Sequence, residues 1–309
     1  MTGDAFSPAW GRVVTAMVTP FDASGEIDEP AVGRLVDHLL ANGTEGIVVC
    51  GTTGEAPTLS DAEKLRMFEL VRAATDGRAA MIASTGNYDT AHTIALSRDA
   101  ASRGADGLLL ITPYYNRPSQ EGLYAHFRAV AEAAELPIML YNVPTRTGVN
   151  LEARTCLRLF RDVPNIVAVK EASGSLMQVS EIAAGAPPGK LIYSGDDGLL
   201  LPLLAVGGYG VVSVTSHLVG RAMSAMVMAH LEGKPDEAAR LHQRMLPIVR
   251  ACFQPTTPSP APLKCALAML GIIGNHLRLP LVTADEAESG RVRAALVEFG
   301  LLPSASQQN

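Results

Sequence analysis

Short runs of β-branched and other apolar residues recur along the chain at 13–19, 46–50, 80–83, 107–111, 138–141, 166–169, 191–194 and 210–214. Between them lie longer stretches in which apolar residues return at helical spacing, at 29–41, 61–74, 90–103, 120–134 and 151–160. Ser60 ahead of Asp61, with Glu63 following, has the form of a capping box and fixes where the second of these helices begins. Residues 199–214 are the densest apolar stretch, broken by Pro202, Gly207, Gly208 and Gly210; they read as helix, turn and strand rather than as a membrane span.

Strand and helix alternate with short connections, which argues for a parallel sheet. Eight such units in about 230 residues match a (β/α)8 TIM barrel at its usual size of about 250. A doubly wound open sheet is the runner-up, weakened because no GxGxxG follows the first strand. Beyond Gly233 the pattern changes to helical stretches alone, at 235–252, 262–270 and 284–299. The chain therefore divides into a catalytic barrel, 1–233, and a C-terminal helical region, 234–309. Between its helices, 254–262 carries Pro255, Pro258, Pro260 and Pro262 and reads as an extended connection; 304–309 reads as a disordered tail.

Chemistry collects where the runs end. Lys170 follows Ile166, Val167, Ala168 and Val169 and precedes Glu171, Ala172, Ser173 and Gly174. An amine at the mouth of a core is poorly solvated, which favours its neutral form, the nucleophile that makes a Schiff base with a carbonyl. Taken alone, the position reads as a strand-end lysine reaching water. The run ending in Tyr141 changes this, because it leads through Asn142, Val143 and Pro144 to Arg146: a phenol relays protons and a guanidinium clamps a carboxylate. Gly51, Thr52, Thr53, Gly54 and Glu55 follow another run and read either as an anion-binding turn or as a tight turn with helix caps. The turn lacks the lysine of a phosphate-binding loop. Tyr114 and Tyr115 follow the fourth run, and packing is the default reading for such a pair. Asp196 and Asp197, with no histidine close in sequence, read as loop caps rather than metal ligands.

Composition narrows the possibilities. At 309 residues, 48% hydrophobic and 18% charged, the chain is long enough for a sizeable core. A net charge of −6 disfavours nucleic acid or an anionic membrane as partner. Cys50, Cys156, Cys252 and Cys265 lie far apart with no CxxC, which suggests buried free thiols and neither zinc nor disulfides. The first residues lack a basic and then apolar leader, so the expectation is a cytoplasmic protein.

In their order and spacing, Gly51-Thr-Thr-Gly-Glu, Tyr141-Asn-Val-Pro and Lys170-Glu-Ala-Ser-Gly resemble the dihydrodipicolinate synthase and N-acetylneuraminate lyase family, from about Val13 to Leu302. Pro113-Tyr-Tyr-Asn-Arg-Pro-Ser-Gln-Glu-Gly and Arg146 look like the synthase branch. The resemblance implies a (β/α)8 barrel with helical C-terminal region and a class I aldolase-type lyase of diaminopimelate and lysine biosynthesis, without cofactor or metal. It implies that Lys170 attacks C2 of pyruvate, that Tyr141 shuttles protons, and that Thr53 and Tyr115 complete a hydroxyl chain, Tyr115 coming from a neighbouring subunit. Thr52 and Thr53 would hold the pyruvate carboxylate and Arg146 that of L-aspartate 4-semialdehyde. Gly195 and Val212 match positions whose backbone lines the imine pocket, and their side-chain identity says little. A homotetramer, a dimer of tight dimers, is implied as well.

One departure concerns the site at which lysine-inhibited members bind lysine through histidine, asparagine and glutamate. The matching residues here are Lys64, Tyr88 and His92. Added positive charge receives an ammonium poorly, so weak or absent feedback inhibition is expected. Other aldolases of the family, a sialic acid lyase or a 2-keto-3-deoxy sugar acid aldolase, share Lys170 and Tyr141, and Arg146 separates them from the synthase branch. A non-catalytic descendant would lack a relay member, whereas Thr53, Tyr115, Tyr141, Arg146 and Lys170 are all present.

Overall fold

The structure, a computed structural model, describes residues 9–303, so the tail expected at 304–309 lies outside the described residues. The chain runs β1 (Val13–Ala16), α1 (Glu29–Ala41), β2 (Gly46–Val49), α2 (Asp61–Thr75), β3 (Ala80–Ser84), α3 (Thr90–Ser102), β4 (Gly107–Ile111) and α4 (Gln120–Ala133). It continues β5 (Ile138–Asn142), α5 (Pro144–Thr147), α6 (Ala153–Asp162), β6 (Ile166–Glu171), α7 (Leu176–Gly185), β7 (Leu191–Ser194), α8 (Leu200–Ala205), β8 (Gly210–Ser213) and α9 (Ser216–Leu231). The eight strands pair in parallel in sequence order, and β8 returns to β1 to close the barrel.

Local chemistry sets the element ends. Both halves of the Ser60–Glu63 capping box are formed at the start of α2. Asp28 caps α1 through the Ala31 N–H, with Pro30 in the first turn. The helix expected from residue 151 begins later, because the Leu151 N–H is taken by Asn142 Oδ1 at 2.9 Å and that residue stays in the loop. β6 is longer than its apolar run: the ladder to β5 continues through Tyr141 opposite Lys170 and Asn142 opposite Glu171. Lys170 is thus a strand residue rather than the first residue past a strand.

Two layers of apolar side chains follow from the strand alternation. Val14, Ala16, Val48, Ile82, Leu109, Met139, Ala168, Tyr193 and Val212 fill the barrel interior together with Trp10 and Tyr141. Trp10 closes the amino-terminal end, and Gly107 is needed beside it, since a Cβ there would lie 2.4 Å from the indole. The opposite strand faces pack under the helices.

Three further helices, α10 (Pro235–Cys252), α11 (Ala261–Met269) and α12 (Glu286–Phe299), complete the chain. α10 packs along α9 and α12, and α11 against α12. The proline-rich connection is not the free extended link expected. It folds in turns with Gln254, Thr257 and Ser259 buried, because Gln254 donates to Glu288 O and the Thr256 and Thr257 hydroxyls donate to the Glu288 carboxylate. All four cysteines are buried free thiols, and burial pushes those of Cys50, Cys156 and Cys252 up. Among the described residues, no helix is long and apolar enough to cross a membrane.

Candidate active site

At the carboxyl ends of the strands a cavity of about 250 Å³ is lined by Thr52, Thr53, Tyr141, Arg146, Lys170, Gly195 and Asp196, among others. β5 and β6 deliver the two central groups as a cross-strand pair. Tyr141 and Lys170 are each only 6% exposed, and Lys170 Nζ lies 4.1 Å from the centre of the Tyr141 ring. An ammonium there is held by the ring face; as a free amine it is directed at the cavity. On the next residue the strand alternation reverses the direction. The Glu171 carboxylate is buried away from the cavity, accepting from Asn142, Gln178 and the Ser173 N–H. That network fixes both strand ends on their outer side, and no cation pairs with Glu171 among the described residues.

Gly195, directly after β7, lines the cavity. A Cβ there would lie 2.6 Å from Ala172 Cβ and 3.1 Å from Lys170 Cε, so the missing side chain leaves room beside the lysine stem. Val212 is buried in the barrel interior with Tyr141.

The turn from Gly51 to Glu55 is bracketed by Cys50 at φ 55° and Glu55 at φ 56°, two non-glycine residues in the left-handed region. Gly54 N–H donates to Gly51 O at 3.0 Å and Glu55 N–H to Thr52 O at 3.1 Å, which closes the turn and leaves the N–H groups of Thr52 and Thr53 free of protein partners among the described residues. Thr19 Oγ1 donates to Gly54 O at 2.7 Å and secures the turn to the chain after β1.

A second cavity, of about 520 Å³, adjoins the first and shares Thr52, Tyr141 and Arg146 with it. Lys64, Tyr88 and Tyr114 line its far side. Tyr114 and Tyr88 meet edge to face at 5.2 Å, and burial followed by the Tyr88 neighbour pushes the Tyr114 phenol up. Arg146 is exposed between the two cavities and has no carboxylate partner among the described residues. Tyr115 lines neither of these cavities: it is 94% exposed, at φ 68°. Beside the outer cavity both oxygens of Asp61 are occupied, by His92 Nε2 at 2.6 Å and by Lys64 Nζ at 3.2 Å. Burial opposes ionisation of Asp61, but the hydrogen bonds from His92 and Lys64 outweigh it and hold the carboxyl below its usual range.

Asp196 and Asp197 act as caps. Asp196 Oδ1 accepts from Gly198 N–H, while Asp197 Oδ2 accepts from the N–H groups of Val214 and Thr215. Several lining residues were not singled out in the sequence: Val249, Phe253 and Ser259 bring the C-terminal region into the wall of the Lys170 cavity. Ser259 Oγ is buried there with no hydrogen-bond partner among the described residues. Proline spacing alone gave no sign of this, since the segment reaches the cavity only through its fold against α12.

A closed eight-stranded barrel presenting amine, phenol and guanidinium at the carboxyl ends of its strands defines a (β/α)8 enzyme of the lyase class. The model of the dihydrodipicolinate synthetase family matches residues 9–298, and the chain belongs to that family. It is 53% identical over 293 residues to the 4-hydroxy-tetrahydrodipicolinate synthase of Moorella thermoacetica, covering 95% of this chain and 99% of that one. Among solved structures, the enzyme from Cyanidioschyzon merolae with lysine bound superimposes with a TM-score of 0.93 at 44% identity, covering 96% and 100% of the two chains. Dihydrodipicolinate synthase from Bacillus anthracis does so with a TM-score of 0.91 at 42% identity, with the same coverage.

Proposed function

We propose that this chain condenses pyruvate with L-aspartate 4-semialdehyde to 4-hydroxy-tetrahydrodipicolinate through an imine on Lys170. The observation that carries the reading is the buried Lys170 amine against Tyr141, in a cavity whose rim holds an unpaired Arg146. Lys170 Nζ attacks C2 of pyruvate, and loss of water from the carbinolamine gives the imine. Tyr141 passes the protons of that step. The N–H and hydroxyl groups of Thr52 and Thr53 hold the pyruvate carboxylate, and Gly195 leaves room for the substituted amine. Loss of a C3 proton yields the enamine, whose C3 attacks the aldehyde carbon while Arg146 holds the second carboxylate. The substrate's own amine then attacks C2, closes the ring and releases Lys170. No metal or cofactor takes part.

Thr53 and Tyr115 extend Tyr141 into a hydroxyl chain toward solvent. Because Tyr115 points outward from its own chain, it serves the site of a neighbouring copy, within a homotetramer of two tight dimers. Val212 completes the floor of the imine pocket. Residues 1–233 form the catalytic barrel and 234–309 the helical region, and the enzyme works in the cytoplasm, in diaminopimelate and lysine biosynthesis.

The assay that tests the acceptor offers the protein pyruvate with aspartate semialdehyde and, separately, N-acetylneuraminate. Condensation of the first pair and no cleavage of the second is expected. Cleavage without condensation moves the chain to the sugar-acid aldolases.

A further inference from the structure

Glu55 lines neither of the two cavities, yet it is 1% exposed and its partners come from the far end of the chain. Lys264, fully buried in α11, donates to Glu55 Oε1 at 2.5 Å and to His276 O at 2.9 Å. Glu55 Oε2 accepts the Arg278 N–H at 3.1 Å. Arg278 also donates to Thr58 O at 2.9 Å, to Gly25 O at 2.8 Å and to Glu63, so it touches the segment after the turn and the start of α2. Both cations stand over the Phe21 ring, Lys264 at 4.3 Å and Arg278 at 4.5 Å. Burial pushes the Lys264 ammonium down, to about 8, against the opposing pull of Glu55.

A solvated turn of small residues requires no such arrangement. Glu55 occupies the left-handed region at φ 56°, two residues past Thr53, a conformation a non-glycine residue keeps only when its surroundings enforce it. A buried ion pair adds little net stability over an apolar pair of the same volume, and its better-attested use is to select one arrangement among several. Here the selected arrangement is that of the turn carrying Thr52 and Thr53.

We infer that Glu55, Lys264 and Arg278 form a clamp through which the C-terminal helical region positions the Thr52-Thr53 turn for the carboxylate of the keto acid. The helical region is then a positioning element of the active site as well as a partner for the barrel. This rests on the proposed pyruvate chemistry, because it assigns the turn its carboxylate. None of the three residues touches the substrate: each acts through the backbone of the turn.

Borohydride trapping of the pyruvate adduct, followed as a function of pyruvate concentration, reads carboxylate capture separately from the acceptor half-reaction. In Lys264→Met the pyruvate concentration for half-maximal trapping is expected to rise about tenfold or more, while the KM for aspartate semialdehyde stays within about twofold. The double variant Lys264→Met/Glu55→Gln carries no uncompensated buried charge and so tests the clamp even if the single variant fails to fold. It is expected to regain thermal stability but keep the raised pyruvate requirement, because the bridge from α11 to the turn stays broken. Unchanged pyruvate saturation in the double variant, or equal rises for both substrates, overturns the clamp and leaves the imine chemistry intact. Failure of the parent protein to form any adduct removes the chemistry and the clamp together.

Discussion

Lys170 and Gly195 work as one unit at the scale of single residues. With 3.1 Å between the lysine Cε and the position of a Cβ on Gly195, the smallest possible addition displaces the nucleophile. Nearby backbone cannot yield, because β6 and β7 are hydrogen-bonded through Lys170 opposite Tyr193 and Glu171 opposite Ser194. A Gly195→Ala variant is therefore expected to keep its fold and its melting temperature within a few degrees, while kcat/KM falls roughly 100-fold from misplacement of the amine. Steady-state kinetics beside a thermal melt check this; undiminished kcat/KM would show that Lys170 does not depend on that space. The family resemblance placed Gly195 at the imine pocket, but the steric contact with Lys170 was not legible in the sequence, where glycine after an apolar run marks only a turn. The steric reason appears once β6 and β7 are adjacent.

Elements were read more readily than the contacts between them. Apolar runs located all eight strands, and the capping box located α2, because these signals are local. The fault at Lys170 was also local: its charge ended the apolar run while the hydrogen-bond ladder went on through Glu171. What remained hidden joins distant segments, such as Lys264 to Glu55 across 209 positions and His92 to Asp61 across 31. Two buried histidines give the helices a pH dependence. His217, at the start of α9, donates from Nδ1 to Val214 O and accepts the Val18 N–H at Nε2, so it is held neutral; His126 in α4 is buried beside Thr90. Burial pushes each down from 6.5 to about 4. Below pH 6.5 the unfolded chain takes up protons that the folded chain refuses until about pH 4. Stability therefore falls as pH drops through that window, by at most about 3 kcal/mol per histidine. Denaturant unfolding at pH 7 and pH 4.5 measures it, and a His217→Gln variant is expected to show a shallower fall. Equal slopes in the two proteins would assign the loss to other groups.

Across the whole molecule the question is what the outer cavity and the exposed aromatic edge are for. Lys64 and Tyr88 line that cavity, and the Asp61 carboxylate next to it is spent on Lys64 and His92. With no free carboxylate among the described residues lining the cavity to pair with an incoming ammonium, lysine is expected not to inhibit at sub-millimolar concentration. A lysine titration of the condensation rate checks this, and half-inhibition in that range would contradict it. Tyr115, almost fully exposed, is expected to matter only through a second copy. Tyr115→Phe is predicted to lower turnover by about 10-fold to 100-fold while leaving pyruvate trapping unaffected. Unchanged turnover would remove it from the hydroxyl chain. The expected arrangement of copies rests on the family resemblance alone, since one chain's surface shows that an aromatic is exposed and not what covers it.

Everything above depends on one nitrogen forming one bond. The direct measurement incubates the protein with pyruvate, reduces it with borohydride, digests it and locates the added mass by peptide mass spectrometry. A single reduced pyruvate adduct is expected, on Lys170, and it is lost in Lys170→Ala. An unmodified protein, or an adduct on any other lysine, would contradict it.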